Sequence, residues 1–459
     1  MSGQPSNRPA DPAAPVDADG APAVPAPSAS GSEQRPTVRP GECVLLKHGE
    51  VFLKGRNRHL FIERLHDNLR DALRGVGGST WIKNSGNVTV LGGEVEREKL
   101  VERARRVIGF NALLPAVRVP STVEDIASAA IAALSETSAR RPEASFAVRV
   151  RRRDKTFPLT SSEFERELGA RIQRRLGLPV NLSSPDVPVA VEIDHRESYV
   201  SCERLAGRSG LPVGSSGRAL VLLSGGYDSP VAAYRAMRRG LRCDFVHFTG
   251  APYTDAASLY KAYALVRELN RYQPGGRLHV VPLGKAQKQL SVAGAGKFQV
   301  VGQRRLMVRT ASALARRLRA EALVTGDSLG QVASQTLTNM ATVDEAASLP
   351  VLRPLIGWEK QEIIDEARAI GTAEISVLPD EDCCQLLAPE RASTRAYVSH
   401  MERFEKRLDM DEIVEGLLAK VQCLRPGDDR PEDAPPPRSA RVPAQHQGTG
   451  ASACDSGLG

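Results

Sequence analysis

The sequence predicts an α/β C-terminal half built on a doubly wound parallel sheet, preceded by an α+β front half. From Arg218 onward, the strand-like runs LVLLS, FVHF, HVVPL and ALVTG alternate with helical patterns at 230–239, 256–270, 302–318 and 359–370. Such alternation reads as βαβ units around a parallel sheet. The polar motifs of this half fall at the carboxyl ends of those strands, where open α/β sheets bind their ligands. Before Arg218, pairs of strands interrupt the helices, which is an α+β pattern.

Taken in order, residues 1–40 are expected to be a disordered tail. The first 38 are mostly Pro, Ala, Ser, Gly and Asp without one aromatic residue, too little apolar surface to offset the ordering of the chain. No basic stretch precedes an apolar core there, so a signal peptide is not expected. CVLLKHGEVFLKG opens as a strand pair or a strand and loop. In RHLFIERLHDNLRDAL the apolar residues Leu60, Phe61, Leu65, Leu69 and Leu73 recur at helical spacing. WIKNSGNVTVLGG predicts a hairpin around Asn84-Ser85-Gly86. Helices are expected at 97–109 and 122–135, with LLPAVRV as a strand between them. SFAVRVRRR alternates as a strand. Ser161, Ser162 and Glu163 supply N-cap candidates for a helix that ends at Gly177. PVAVEIDHRESYVSCERL predicts a further strand pair. From about Arg425 the chain is again rich in Pro, Gly and Ser, and 425–459 is expected to be a second tail.

Composition narrows the function classes. The 459 residues are 41% hydrophobic and 25% charged, ordinary for a globular protein. No apolar run approaches the roughly 20 residues that cross a bilayer. The seven cysteines, Cys43, Cys202, Cys243, Cys383, Cys384, Cys423 and Cys454, are odd in number and irregular in spacing. That argues against a secreted disulfide framework and for the cytoplasm. No Cys-x-x-Cys pair suggests a metal site. The net charge is +8, and Gly41–Val213 holds 28 Lys or Arg against 22 Asp or Glu. A basic front half suits a polyanionic partner, although charge alone serves solubility equally well.

The sharpest chemical signal is LVLLSGGYDSPVAAYRAM at 220–237. A strand, a Gly-rich turn and a helix start place backbone N–H groups around a small concavity at the positive end of the helix dipole. Gly225 and Gly226 permit the tight turn, and Pro230 suits the first helical turn. The Lys of GxxxxGK[ST] is missing, so γ-phosphate hydrolysis is not the natural use of this loop. Asp228 at the helix start repels phosphate unless a cation intervenes. It therefore reads as a Mg²⁺-linked or acceptor-positioning carboxylate, with helix capping as the plain alternative.

Ser-Gly-Gly-x-Asp-Ser in this context resembles the PP-loop ATP pyrophosphatases, whose fold is the adenine nucleotide alpha-hydrolase-like sheet. Those enzymes cut between the α- and β-phosphates and leave AMP on an acceptor. TGDSLGQVASQ (325–335), LRPLIGWEKQEII (352–364) and PDEDCC (379–384) narrow the resemblance to the tRNA uridine 4-sulfurtransferase (ThiI) family. GEVFLKGRNRHLF resembles its N-terminal ferredoxin-like segment. FAVRVRRRDKTFPLTSSEF resembles its THUMP domain, and GRSGLPVGSSG the linker before its PP-loop. The resemblance spans about 41–424. It implies a ferredoxin-like domain at 41–100, a THUMP domain at 101–206, a linker at 207–217 and a PP-loop domain at 218–424.

The resemblance also assigns residues. It implies ATP contacts at Leu222, Leu223, His247, Phe248, Arg304, Gly326 and Gln335, with Ser224, Gly225, Gly226 and Ser229 in the pyrophosphate loop. Taken alone, FVHF reads as core, Arg304 as a solvated helix face and Lys360 as surface. Asp228, Lys360 and Cys383 match positions needed for activity. Lys360 is suited to stabilise charge on the transferring phosphoryl group. A Cys383 thiolate would relay sulfur, with Lys360 or magnesium lowering a thiol pKa that Asp380, Glu381 and Asp382 would raise. Cys384 is a helper by adjacency. Lys54, Arg56, Arg58, Arg149, Arg151, Arg152, Arg153 and Lys155 form the expected RNA surface, reading shape through phosphates because only Phe157 is at hand for stacking.

The implied reaction uses ATP and Mg²⁺ to adenylate uridine 8 of tRNA and then forms 4-thiouridine, with the thiazole of thiamine as a further sulfur acceptor. The rhodanese domain of some members and the Cys-x-x-Cys pair of others are not expected here. Sulfur would then arrive from a cysteine desulfurase. A homodimer is compatible with this reading. Two alternatives stay open: a PP-loop tRNA thiolase acting at another nucleotide, and a THUMP RNA-binding module with a decayed nucleotide site. Mapping the modified nucleotide decides the first, and ATP binding the second.

Overall fold

The computed structural model describes residues 41–379, Cys383 and 387–427. The expected tails, apart from 425–427, lie outside the described residues, as do Asp380–Asp382, Cys384 and Cys454.

The front half runs β1 (Gly41–His48), α1 (Arg58–Ala72), β2 (Thr80–Ser85), β3 (Val88–Gly93), α2 (Arg97–Arg106), β4 (Phe110–Pro120), α3 (Val123–Arg140), β5 (Phe146–Arg152), α4 (Ser161–Leu176), β6 (Val187–Ile193), β7 (Glu197–Ser201) and β8 (Leu205–Ala206). CVLLKHGEVFLKG gives one strand followed by two short 3₁₀ turns rather than a strand pair. The hairpin turns at Gly86-Asn87, where Gly86 takes φ +61°. Thr160, one residue before the expected candidates, caps α4 and forms a reciprocal capping box with Glu163. Gly177 ends the helix in the left-handed conformation, at φ 69°.

These strands form one sheet in the order β2-β3-β1-β4-β7-β6-β5, with β8 paired to β4. All neighbours are antiparallel except β5 and β6. The long β4 joins the two ends, pairing along β1 and then, through Val117–Pro120, with β7. One core under it gathers Leu65, Leu69, Leu100, Ala104 and Phe110, and another Ile126, Ala130, Phe164, Leu168 and Ile172. The expected division at 100–101 falls inside α2.

The second half runs β9 (Arg218–Leu222), α5 (Asp228–Arg238), β10 (Arg242–Thr249), α6 (Ala257–Leu269), β11 (Leu278–Pro282), α7 (Gly284–Val292), α8 (Gln299–Arg317), β12 (Ala322–Val324), α9 (Leu337–Glu345), β13 (Val351–Leu352), α10 (Lys360–Ala369), α11 (Ala373–Ser376), α12 (Val398–Glu405), α13 (Met410–Leu418) and β14 (Gln422–Leu424). Strand order is β13-β12-β9-β10-β11-β14, parallel except for β14. Alternate residues of β9 face opposite layers. Leu220 packs with α7, α8 and α13, whereas Ala219 and Val221 pack with α5, α6 and α10. The chain proceeds from β9 to β10 and β11 on one side, then returns to β12 and β13 on the other. The order therefore reverses between β9 and β12, and a crevice opens at their carboxyl ends. Among the described residues no helix is long and apolar enough to cross a membrane.

Candidate active site

The loop after β9 lies at this reversal. Ser224 N–H donates to Ser229 Oγ at 2.9 Å, and Ser229 Oγ donates back to Ser224 O at 3.2 Å. This pins the loop to the first turn of α5. Tyr227, the N-cap of α5, makes no side-chain cap bond, so the first N–H groups of the helix stay available to an anion. Leu223 N–H donates to Val246 O at 2.9 Å, and Leu223 O accepts from His247 Nδ1 at 2.9 Å. His247 and Phe248 are buried at the end of β10, and Leu222 is half-buried at the end of β9.

Gly326 lies in the loop after the neighbouring β12, at close quarters. A Cβ there would come within 2.6 Å of Ser229 N and 2.7 Å of the Asp228 carbonyl carbon. Glycine is therefore needed for the loop after β12 to pack on the start of α5. Ser376, at the end of α11, donates from Oγ to Gly226 O at 3.3 Å, so the chain leading toward Cys383 passes beside the loop. Cys383 is buried, at 6% exposure, and its carbonyl accepts from Gln287 Nε2 of α7 at 2.7 Å.

Asp228 and Lys360 begin α5 and α10, and their charges meet at 2.7 Å. Gln331 Nε2 donates to the other Asp228 oxygen at 3.0 Å. The carboxylate thus looks across the mouth of the loop and does not cap its own helix. Lys360 also lies 5.5 Å from the centre of the Tyr227 ring.

Arg304 and Gln335 converge on Asp327, a residue for which the sequence carries no family assignment. Arg304 Nη2 and Gln335 Nε2 donate to Oδ1, the latter at 3.3 Å. Thr325 Oγ1 and Arg353 Nε donate to Oδ2 at 2.8 and 3.1 Å. Burial works to raise the Asp327 pKa, but Arg304, Thr325 and Arg353 outweigh it and hold the carboxyl below its usual range. The sequence signal for Asp327 and Arg353 is positional: TGDS directly follows β12, and Arg353-Pro354 directly follows β13. Among the described residues no three His, Cys, Asp or Glu side chains cluster as metal ligands.

The expected RNA cations separate into kinds. Arg56, Arg151 and Lys155 are exposed, with no acidic partner among the described residues. Arg149 is exposed and donates only to carbonyls, those of Val148 and Leu182. Arg58 holds the β2–β3 turn through Gly86 O at 2.7 Å and Asn87 Oδ1 at 2.6 Å. Arg152 holds Phe157 O and Leu159 O at 3.0 and 2.7 Å. Both keep an unneutralised charge. Arg153 does not, because it pairs with Glu192 at 2.8 Å. Lys54 lies over the Phe61 ring. An open cavity of about 850 Å³ on this half is lined by Lys47, Phe52, Arg149, Arg151, Arg153 and Arg204, among others.

Burial pushes Cys43 and Cys202 up to about 12, and Cys243 higher still.

Three family models match the chain: the thiamine biosynthesis protein ThiI over residues 214–410, the THUMP domain over 120–203 and the ThiI ferredoxin-like domain over 43–113. A probable tRNA sulfurtransferase of Nocardia farcinica is 57% identical over 403 residues, covering 87% of this chain and 97% of that protein. The Thermus thermophilus relative of the same description is 42% identical over 84% of this chain and 94% of its own. Among solved structures, a 4-thiouridine synthetase–RNA complex with bound ATP is similar at a TM-score of 0.77 and 30% identity, over 84% of this chain and 99% of that one.

Proposed function

Since this chain belongs to the ThiI family of tRNA sulfurtransferases, we propose that it adenylates uridine 8 of tRNA at O4 with ATP and then exchanges the activated oxygen for sulfur, giving 4-thiouridine. The observation that carries this reading is the phosphate-binding loop at the sheet reversal, with Asp228 and Lys360 paired across its mouth. The likeness to a synthetase described with RNA and ATP supports it.

In this reading the N–H groups of Ser224–Ser229 and the start of α5 hold the pyrophosphate. Leu222, Leu223, His247, Phe248 and Gly326 surround the adenosine, and Arg304 meets phosphate. Gln335 Oε1 is buried without a hydrogen-bond partner among the described residues, which fits a donor supplied by the nucleotide. The uridine O4 attacks the α-phosphorus while the α–β bridging bond breaks, and the electron pair leaves with pyrophosphate. Lys360 stabilises the charge that develops there. Asp228 would hold Mg²⁺, an ion that commonly takes one or two carboxylates together with phosphate oxygens and water. Bound there, the ion would neutralise phosphate charge.

The outer sulfur of a persulfide on Cys383, charged by a cysteine desulfurase, then attacks C4 and displaces AMP. A second thiol attacks Cys383 Sγ, the S–S bond breaks with its electron pair left on the uridine sulfur, and Cys383 ends in a disulfide that an external thiol reductant reopens. Arg56, Arg149, Arg151 and Lys155 carry the front half's grip on tRNA, with Lys54, Arg58 and Arg152 beside them. We place the enzyme in the cytoplasm, and a homodimer is compatible with this reading. The family description as a thiamine biosynthesis protein supports the thiamine thiazole as a second sulfur acceptor.

The test combines purified protein, unmodified tRNA, Mg-ATP and a cysteine desulfurase with cysteine, followed by a mercury-containing gel and mapping of the retarded RNA. Thiolation at uridine 8 that is lost in Cys383→Ser and Asp228→Ala supports the assignment. Thiolation at another nucleotide, or survival in Cys383→Ser, overturns the acceptor or the relay respectively.

A further inference from the structure

Asp327 sits between two arginines of unlike freedom. Arg353 is forked onto Asp344 at 2.5 and 2.9 Å while its Nε holds Asp327 at 3.1 Å, so two carboxylates from different elements fix it. Arg304 has Asp327 as its only carboxylate partner among the described residues, and its other amino group reaches Ser334 weakly, at 3.4 and 3.5 Å. The Asp327 side chain is 6% exposed. A buried carboxylate stripped of its sole cation is costly. Here the cost does not arise when Arg304 departs, because Thr325 and Arg353 remain on Oδ2.

We propose that Asp327 and Arg353 form a counterion relay: Asp327 holds Arg304 beside the loop in the absence of nucleotide, and Arg353 takes over the Asp327 charge when Arg304 moves to a nucleotide phosphate. Both are positioning residues that act through Arg304, and the relay rests on the reading of Arg304 as a phosphate contact. It deepens that reading by stating what sets the affinity. The four charges, Arg304, Arg353, Asp327 and Asp344, sum to zero, so Arg304 attracts phosphate only as far as Asp327 releases it. Removing Arg353 leaves Arg304 as the only cation for Asp327 and withholds it from ATP. Neutralising Asp327 as well sets Arg304 free again.

The test is calorimetric titration of the full chain with Mg-ATP. Arg353→Met is expected to bind ATP about tenfold more weakly, a coupling of the size shown by side chains in contact. The double variant Asp327→Asn/Arg353→Met returns to within about threefold of the parent, because additivity fails where partners are shared. Affinity for tRNA should not change in either. Parent-like affinity in Arg353→Met overturns the relay. So does a double variant as weak as Arg353→Met, since Arg353 would then touch nucleotide itself or only support the fold. Arg304→Ala separates the two readings. If it binds ATP like the parent, the phosphate contact fails. If it weakens binding while Arg353→Met does not, the relay alone fails. Should Arg353→Met be insoluble, Asp344→Asn decides: its target is 42% exposed, and releasing Arg353 onto Asp327 should tighten ATP binding about twofold to threefold. Unchanged or weaker binding overturns the relay.

Discussion

Lys360 Nζ lies 2.7 Å from Asp228 Oδ1 although 132 residues separate them. The first residues of two helices that flank the sheet reversal thus share one ion pair at the mouth of the phosphate loop. Lys360 is 44% exposed and Asp228 22%, so solvent screens the pair and its contribution to stability is under about 1 kcal/mol. Its importance lies in the placing of charge. Asp228→Ala and Lys360→Ala are each expected to lower kcat for pyrophosphate release by about 10²–10³-fold, the range for removing one preorganised electrostatic group. The melting temperature should stay close to that of the parent. Steady-state kinetics alongside calorimetry checks both halves of this prediction.

Gly326→Ala should damage both stability and activity. Its Cβ meets Ser229 N at 2.6 Å, and backbone cannot rotate away as a side chain can. The expected cost is about 1–3 kcal/mol, typical of overpacking. ATP binding should fall because the start of α5 must shift. Thermal unfolding and nucleotide titration on one sample test this.

Cys383→Ser is expected to release pyrophosphate from ATP in the presence of tRNA while forming no 4-thiouridine. Cys43 and Cys243 should react with iodoacetamide only after unfolding, because burial raises their pKa and hides them. Peptide mapping after brief alkylation measures this directly.

His48 gives a sign for acid stability. Burial first, then His66 and Arg58, lower its pKa from 6.5 to about 4, and its Nε2 shares Thr89 Oγ1 with His66 at 2.8 Å on each side. The folded state favours the neutral ring. Its contribution is therefore fully present above pH 6.5 and is lost as pH falls toward 4. His48→Gln should flatten the urea-unfolding free energy across that window, by on the order of 3 kcal/mol. An unchanged slope would refute the assignment.

The front-half cations should divide by experiment as they do by geometry. The triple variant Arg56→Ala/Arg151→Ala/Lys155→Ala should weaken tRNA binding and lower the slope of log K against log salt by about 0.7–0.9 for each phosphate that is no longer neutralised. ATP binding should be untouched. Arg153→Ala should instead destabilise the fold by about 2 kcal/mol, since it leaves Glu192 without one of its partners. Filter binding over a salt series, with thermal melts, separates the two effects.

Much of the fold was legible because it is written locally. β9, the Gly-rich turn and α5 follow one another within LVLLSGGYDSPVAAYRAM, and α4 carries its own cap and stop signals. The elements without a clear local signal are short or poorly periodic. β13 and β14 span two and three residues, and α9 (LTNMATVDE) is rich in residues of low helix propensity. The turn of the first hairpin falls later than expected because Asn84 and Ser85 carry turn chemistry yet remain in the strand, paired opposite Thr89 and Val88.

The sequence by itself determined that a strand–turn–helix phosphate cradle exists, that helices and strands alternate behind it and that basic residues crowd 149–155. Only the tertiary structure decided which side chains share a site. Strand order sets β12 beside β9, and this brings Gly326 onto Ser229 and Asp327 between Arg304 and Arg353. The β5–β6 register likewise sets Glu192 opposite Arg151, yet its carboxylate pairs with Arg153, just past the end of β5, and Arg151 keeps its charge. Charges act through distance, and distances between residues far apart in sequence follow from sheet topology, which no local pattern encodes.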